Sequence, residues 1–274
     1  MAVILQVTDL HVEPKGKLAY GAADTCTLLD QIAPWLERAA AKCDAVVVTG
    51  DIACDGNEEA YAHVARIFSR LQAPVRMIPG NHDRREGFMK ILADFIEDQW
   101  SPERLDQTLE LPDARLFLLD TLQPGCHWGA LPDAVLARLE EEISATEAAG
   151  KAAIVFTHHT PVHCGMGKMD EPFGGREALR GIFERHPAVR LATGHMHRAL
   201  AQRFGGASLV TAPSVSVPIY IDLSADGGDE FLLETPGFAL HHLMPDGWTT
   251  FFGQIPVQMS FAGPYSFKGA VNPT

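Results

Sequence analysis

The sequence predicts an α/β sandwich in which a central pair of mostly parallel sheets is flanked by helices. Three observations carry that expectation. Through about the first 200 residues, short β-branched apolar runs alternate with segments of helical periodicity. Five of those runs end in an Asp, Asn or His, and all five fall in this first part of the chain. Beyond residue 198 the alternation gives way to short β-rich segments divided by Gly and Pro, which read as an antiparallel extension.

In chain order, Val3–Val7 is the first strand, and residues 28–41 are a helix with Pro34 near its first turns. Residues 45–48 form a buried strand that runs into Thr49-Gly50-Asp51. Residues 58–71 place Tyr61, Val64, Ala65, Phe68 and Leu71 at helical spacing. A strand over 74–78 ends in Pro79-Gly80-Asn81-His82-Asp83, and 88–96 is helical. Strand 115–119 precedes helix 132–149, whose proline suits a first turn. Strand 152–156 ends at Thr157-His158-His159; helix 176–186 follows; strand 189–192 ends at Thr193-Gly194-His195-Met196-His197. The extension supplies β segments at 207–211, 218–221, 230–233, 238–244 and 249–255, and 263–274 reads as a loosely held tail or an arm for a partner subunit.

Bulk properties bound the function. A chain of 274 residues with 46% hydrophobic content and mean hydropathy near zero suffices for one large α/β domain with an appendage, or for two small domains, with a sizeable core. No run approaches the roughly 18 apolar residues of a membrane span. The first residues lack the basic, apolar and small-residue pattern of a signal peptide. Five scattered cysteines without C-x-x-C spacing predict free thiols and a cytoplasmic setting. With 22 basic against 35 acidic residues, a formal charge of −13 disfavours a nucleic-acid polymer as partner. A small anion can still bind where bound cations supply positive charge locally.

The informative pattern is where ligand-capable side chains fall. Asp9 and His11 follow the first strand as D-x-H, and Asp51 the second as G-D. Asn81, His82 and Asp83 follow the third as G-N-H-D, His158 and His159 a later strand as H-H-x-P, and His195 and His197 the last core strand as G-H-x-H. Each alone is more often a helix cap, a turn former or a hydrogen-bonded structural residue. In α/β sheets, however, ligands bind outside the carboxyl ends of strands. Five strand ends carrying Asp, Asn or His in this order make coincidence a poor account.

Together these motifs resemble the calcineurin-like metallophosphoesterase superfamily over about residues 1–200. The segment Gly16-Lys17-Leu18-Ala19-Tyr20-Gly21, the His158-His159 pair and the chain length are similar to its bacterial class III cyclic-nucleotide phosphodiesterase and glycerophosphodiesterase branch. The resemblance implies a four-layer αββα sandwich, with residues 1–200 as the dinuclear-metal core and 201–274 as a β-rich cap and oligomerisation extension. It implies that Asp9, His11 and His197 hold one metal, that Asn81, His158 and His195 hold the other, and that Asp51 bridges them. Carboxylate, amide and imidazole donors suit Fe, Mn, Zn or Co better than Ca or Mg. The activity implied is hydrolysis of a small phosphodiester by a hydroxide bridging two divalent cations. His82 is then the group that contacts the phosphoryl or protonates the leaving alkoxide, oriented by Asp83.

Other residues are read as structural. His159 is expected behind the ligands, and His63, His127, His186, His241 and His242 on the surface or in packing. His163, in a Gly-rich loop, is the candidate to border the cleft. Arg84 and Arg85 belong to a solvated helix start, and Phe251-Phe252 packs the extension. Two other readings compete with the diesterase. A phosphomonoesterase of the same superfamily typically carries G-D-x-x-D-R-G, where this chain has Gly50-Asp51-Ile52-Ala53-Cys54-Asp55-Gly56. A non-catalytic metal-binding scaffold is opposed by the complete ligand set.

Overall fold

The computed structural model describes residues 1–267. In chain order its strands are β1 (Val3–Val7), β2 (Ala45–Thr49), β3 (Val75–Ile78), β4 (Gln99–Ser101), β5 (Arg104–Glu110), β6 (Ala114–Leu119), β7 (Gly129–Ala130) and β8 (Ala152–Thr157). There follow β9 (Phe173–Gly174), β10 (Arg190–Thr193), β11 (Leu200–Phe204), β12 (Ala207–Thr211), β13 (Glu230–Leu233), β14 (Gly237–Met244), β15 (Gly247–Gln254) and β16 (Ala262–Ser266). The helices are α1 (Thr25–Ala40), α2 (Glu58–Phe68), α3 (Arg85–Ile91), α4 (Asp133–Ala148) and α5 (Arg176–Arg185).

One sheet has the order β15-β14-β1-β2-β3, and the other β11-β12-β10-β8-β6-β5-β4. Within the first, β1, β2 and β3 are parallel; within the second, β6, β8, β10 and β12 are. Strands covered on both faces read as continuous apolar runs, and β2, Ala-Val-Val-Val-Thr, is buried throughout. Alternate residues then serve different layers. Val46 and Val48 pack with Leu29, Leu36, Val64 and Phe68 of α1 and α2. Ala45 and Val47 face Leu116, Ile154, Phe156 and Ala192 of the second sheet. The outer face of that sheet packs on Leu136, Leu139, Leu179 and Phe183 of α4 and α5. The result is the expected helix, sheet, sheet, helix sandwich.

Several boundaries differ from expectation. Helix α1 begins at Thr25, capped by Asp24 through the Thr27 amide at 3.0 Å, so Pro34 lies in its interior rather than near its start. The segment 88–96 splits into α3 and a 3-10 turn, Ala93–Phe95. The β4–β5 hairpin and β11 have no counterpart in the sequence reading. Residues 218–221 contribute only a bridge from Ile219 to Phe231.

The boundary expected at residue 200 is absent. Strand β12 pairs with β10, and β14 pairs with β1, so the later segments complete the core sheets instead of forming a separate cap. Strand β1 would otherwise be an edge, and β14 covers it. Of the described residues beyond 200, β13 and β16 make a small sheet of their own, as β7 and β9 do earlier in the chain. The expected tail at 263–274 is in part ordered as β16, while residues 268–274 lie outside the described residues. Strand β15 forms the edge of the first sheet, and Phe251 and Phe252 there are exposed rather than packed.

Candidate metal centre

Parallel strands deliver their C-terminal loops to one edge, and backbone hydrogen bonds stitch those loops together. The Asp9 amide donates to the Gly50 carbonyl at 3.1 Å and the His11 amide to the Asp51 carbonyl at 2.9 Å. Within the second sheet the Gly194 amide donates to the His158 carbonyl at 2.9 Å, and across the two sheets the His195 amide reaches the Asp9 carboxylate at 3.2 Å. The backbone is strained there. Asp9, His11, Tyr20, Asp51, His195 and His197 all have positive φ, and among the described residues only Asp98 shares that trait elsewhere without being glycine. Such outliers persist where the surrounding structure over-determines them, and they gather at functional sites.

The side chains converge into two adjoining clusters. Asp9, His11, Asp51 and His197 offer ligand atoms within 4.8 Å of one another, and so do His158, His159 and His195. Asn81 Oδ1 lies 3.1 Å from His158 Nε2. The clusters meet at Asp51, whose Oδ2 is 3.6 Å from His11 Nε2 and 3.3 Å from His158 Nε2. Carbonyls set the proton positions. His158 Nδ1 donates to Thr49 O at 2.7 Å and His197 Nδ1 to Val217 O at 2.6 Å, which turns both Nε2 atoms inward, bare of a proton whenever the ring is neutral.

Electrostatics follow from burial and proximity. Burial drives the His11, His159 and His195 imidazoles down from their ordinary values, holding them in the neutral form that binds cations. Burial alone would raise the Asp51 carboxyl, but the neighbouring His158, His82 and His11 outweigh it and keep it well below the carboxylate range. His158 is also opposed by burial, yet Asp51 and Asp9 raise it to about 9. The cluster fits a cation pair on its own chemistry. The buried Nε2 atoms of His159 and His195 make no well-formed hydrogen bond, and Glu171 Oε2 stands 3.4 Å from the latter. The donors are oxygen and nitrogen, with no sulfur among the seven expected ligands.

Residues 2–199 match the family described as calcineurin-like phosphoesterase. The chain belongs to that family. It is 32% identical, over 97% of its length and 96% of the relative's, to a protein of Arcobacter nitrofigilis named "Probable glycerophosphodiester phosphodiesterase GpdQ". It is 29% identical, over 89% of its own length and 86% of the relative's, to the 3',5'-cyclic adenosine monophosphate phosphodiesterase CpdA of Pseudomonas aeruginosa. A dimetal phosphatase from Danio rerio shares the fold with a TM-score of 0.71 at 15% identity, over 96% of this chain and 99% of that one.

In this calcineurin-like phosphoesterase all seven expected ligand residues lie in the one cluster, and His82 stands at its rim. Asp83 does not orient His82. Its carboxylate accepts the Gly80, Ala53 and Ile52 amides at 2.8, 3.1 and 3.2 Å and the Tyr61 hydroxyl at 3.0 Å, so it ties the second and third motif loops together. The His82 ring is instead fixed by Nδ1 donating to Cys54 O at 2.7 Å. His159 stands inside the second cluster rather than behind it, its Nδ1 held 2.7 Å from Thr121 Oγ1. His127, not His163, borders the cleft. Arg85 is not solvated: it forms a two-point ion pair with buried Asp120 at 2.6 and 2.9 Å.

The cleft above the clusters has a volume of about 550 Å³, within the range of small-molecule sites. Tyr20, Lys168, Glu171 and Phe267 line it and were not singled out from sequence. Tyr20 places its hydroxyl 3.1 Å from His11 Nδ1 and 3.5 Å from His82 Nε2. It was visible only as part of the Gly16–Gly21 segment. Glu171 and Lys168 sit in an irregular loop, where no periodicity shows which side chains face inward.

Proposed function

We propose that the chain is a dinuclear-metal phosphodiesterase acting on small phosphodiesters, either 3',5'-cyclic nucleotides or glycerophosphodiesters. The observation that carries this reading is Asp51 Oδ2 lying between the two clusters, within 3.6 Å of an imidazole nitrogen from each. In this reading Asp9, His11 and His197 hold one divalent cation, Asn81, His158 and His195 the other, and Asp51 both. Iron, manganese, zinc or cobalt suits the donors. A bound pair supplies positive charge for a phosphoryl group and makes water more acidic.

The chain's own residues do the rest. His82 keeps a proton on Nδ1 through Cys54, so Nε2 is the atom that exchanges a proton with the leaving oxygen. Tyr20 hydrogen-bonds His11 and fixes its orientation. Ile219, Gly228 and Phe267 from the later part of the chain close one side of the cleft, which favours small substrates over polymers. The formal charge of −13 acts in the same direction. The relatives' names supply the two substrate classes. A cytoplasmic setting and a homo-oligomer belong to the same reading; no helix among the described residues is long and apolar enough to cross a membrane.

The test is turnover of bis(p-nitrophenyl) phosphate with added Mn²⁺, before and after chelation. A panel of cyclic AMP, glycerophosphodiesters and monoesters then ranks substrates. Metal-dependent diester hydrolysis exceeding the rate on p-nitrophenyl phosphate is the expected result. A chain without metal-dependent turnover of any diester, or one faster on the monoester, is not this enzyme.

A further inference from the structure

A second cluster of ligand-type side chains lies outside the cleft, on the outer helical layer. Cys26 and Asp30 are four residues apart on α1, so they share one helix face, and His63 of α2 points at both. Cys26 Sγ is 3.8 Å from His63 Nε2, and that nitrogen is 3.2 Å from Asp30 Oδ1. All three ligand atoms fall within 4.8 Å of one another. A tetrahedral zinc with bonds of about 2.3 Å to sulfur and about 2.0–2.1 Å to nitrogen and oxygen sets S and N about 3.5 Å apart, and N and O about 3.3 Å apart. The side chains already stand close to that spacing.

We propose that Cys26, Asp30 and His63 form a mononuclear site for a zinc-class divalent cation, separate from the dinuclear centre. One thiolate, one imidazole and one carboxylate form a borderline-soft donor set, unlike the all-oxygen-and-nitrogen set in the cleft. The fourth position opens into a surface pocket of about 380 Å³, through which a cation enters. Cys26 is buried, while the Asp30 side chain is 54% exposed and His63 18%. The soft ligand is thus fixed and the hard one free to adjust. Binding releases the Cys26 thiol proton to solvent. It also transfers the imidazole proton from Nε2 to Nδ1, where Arg66 now donates at 3.1 Å. Arg66 also pairs with Asp30 Oδ1 at 3.3 Å; it is half-exposed, and binding requires it to release that oxygen and turn to solvent. The cation links α1 to α2 directly behind the loop bearing Asp9 and His11, since the Glu13 amide is bonded to Thr25 Oγ1, one residue before Cys26.

Cobalt(II) distinguishes the two sites, because only a thiolate ligand gives an intense near-ultraviolet charge-transfer band. Titrating the full chain with cobalt is expected to produce that band, with one more equivalent of metal per chain than Cys26→Ser holds. Cys26→Ser and His63→Ala abolish the band. Cys54→Ser retains it, which excludes the thiol beside His11 and His82. Asp30→Asn weakens cobalt binding by more than the roughly 10–100-fold typical of losing an outer partner. The proposal is overturned if no band develops, if Cys26→Ser keeps it, or if Cys54→Ser loses it. Should Cys26→Ser fail to fold, His63→Ala, a surface change, decides the matter alone. Diesterase turnover is not a readout here, so failure of this site leaves the phosphodiesterase reading standing, and the reverse.

Discussion

Asp51 is the residue on which both halves of the cleft depend, because one oxygen faces both clusters. Asp51→Asn keeps the shape and removes the charge. We expect bound metal to fall and kcat/KM on bis(p-nitrophenyl) phosphate to drop by about 10²–10³-fold or more, since removing a single preorganised electrostatic group costs roughly 10²–10³. Metal analysis after desalting, run beside the assay, checks both. His82→Ala has a different signature. For alkoxide leaving groups, kcat should fall about 10²–10⁴-fold, while p-nitrophenolate, which leaves without a proton, should be affected much less. Equal losses on both substrate types would remove His82 from proton transfer. Asp83→Asn acts on stability instead. It removes a charged acceptor from three amides and a hydroxyl, at a cost of about 1–3 kcal/mol, read as a lower urea midpoint.

At the level of elements, the motif glycines are spacers for the ligands. A Cβ on Gly50 would stand 2.5 Å from His158 Nδ1, and one on Gly80 would stand 2.5 Å from the Asp51 amide and overlap its carboxylate. Gly50→Ala also carries a side chain at φ +91°. We expect it to destabilise by about 1–3 kcal/mol and to lower metal retention. A variant melting with the parent and holding equal metal would refute that role. The same close approaches explain what was legible beforehand. Ligand types at strand ends are chemically unusual, so G-D, G-N-H-D and G-H-x-H stood out; β2 and β8 are apolar up to their last residue, as are β1 but for Gln6 and β10 but for Arg190 at its start. Strand β4, three residues long, and β11, with three exposed residues out of five, offered no such run. The role of Asp83 is not encoded in spacing, because its partners include the Ile52 and Ala53 amides of another loop and the Tyr61 hydroxyl of α2. His159 was set aside on the expectation that adjacent side chains diverge, yet both its ring and that of His158 approach His195, with centroids at 4.8 and 5.2 Å.

Across the whole molecule, stability rests on the layer between the sheets, where His241 is buried against Phe156 and bonded at 2.9 Å to both Gln6 Oε1 and Thr250 Oγ1. Burial, with Arg190 nearby, lowers its pKa to about 3. The unfolded chain takes up this proton below about pH 6.5, while the folded one resists it until about pH 3. His241 therefore contributes stability above pH 6.5 that is lost as pH falls toward 3, on the order of 5 kcal/mol in all. Urea unfolding of the chelated protein against His241→Gln should show their stability gap narrowing across that window; a constant gap would contradict it. The partners in the cleft also lie far apart in sequence: His11 and His197 are 186 positions from each other. The chain must be in place as far as His197, of its 274 residues, before the last ligand arrives. A cation seated there acts as a reversible cross-link around a very long loop, the kind that restricts the unfolded chain most. Loading the cleft should thus slow global unfolding, and cutting the chain anywhere between those two histidines should loosen the grip on metal.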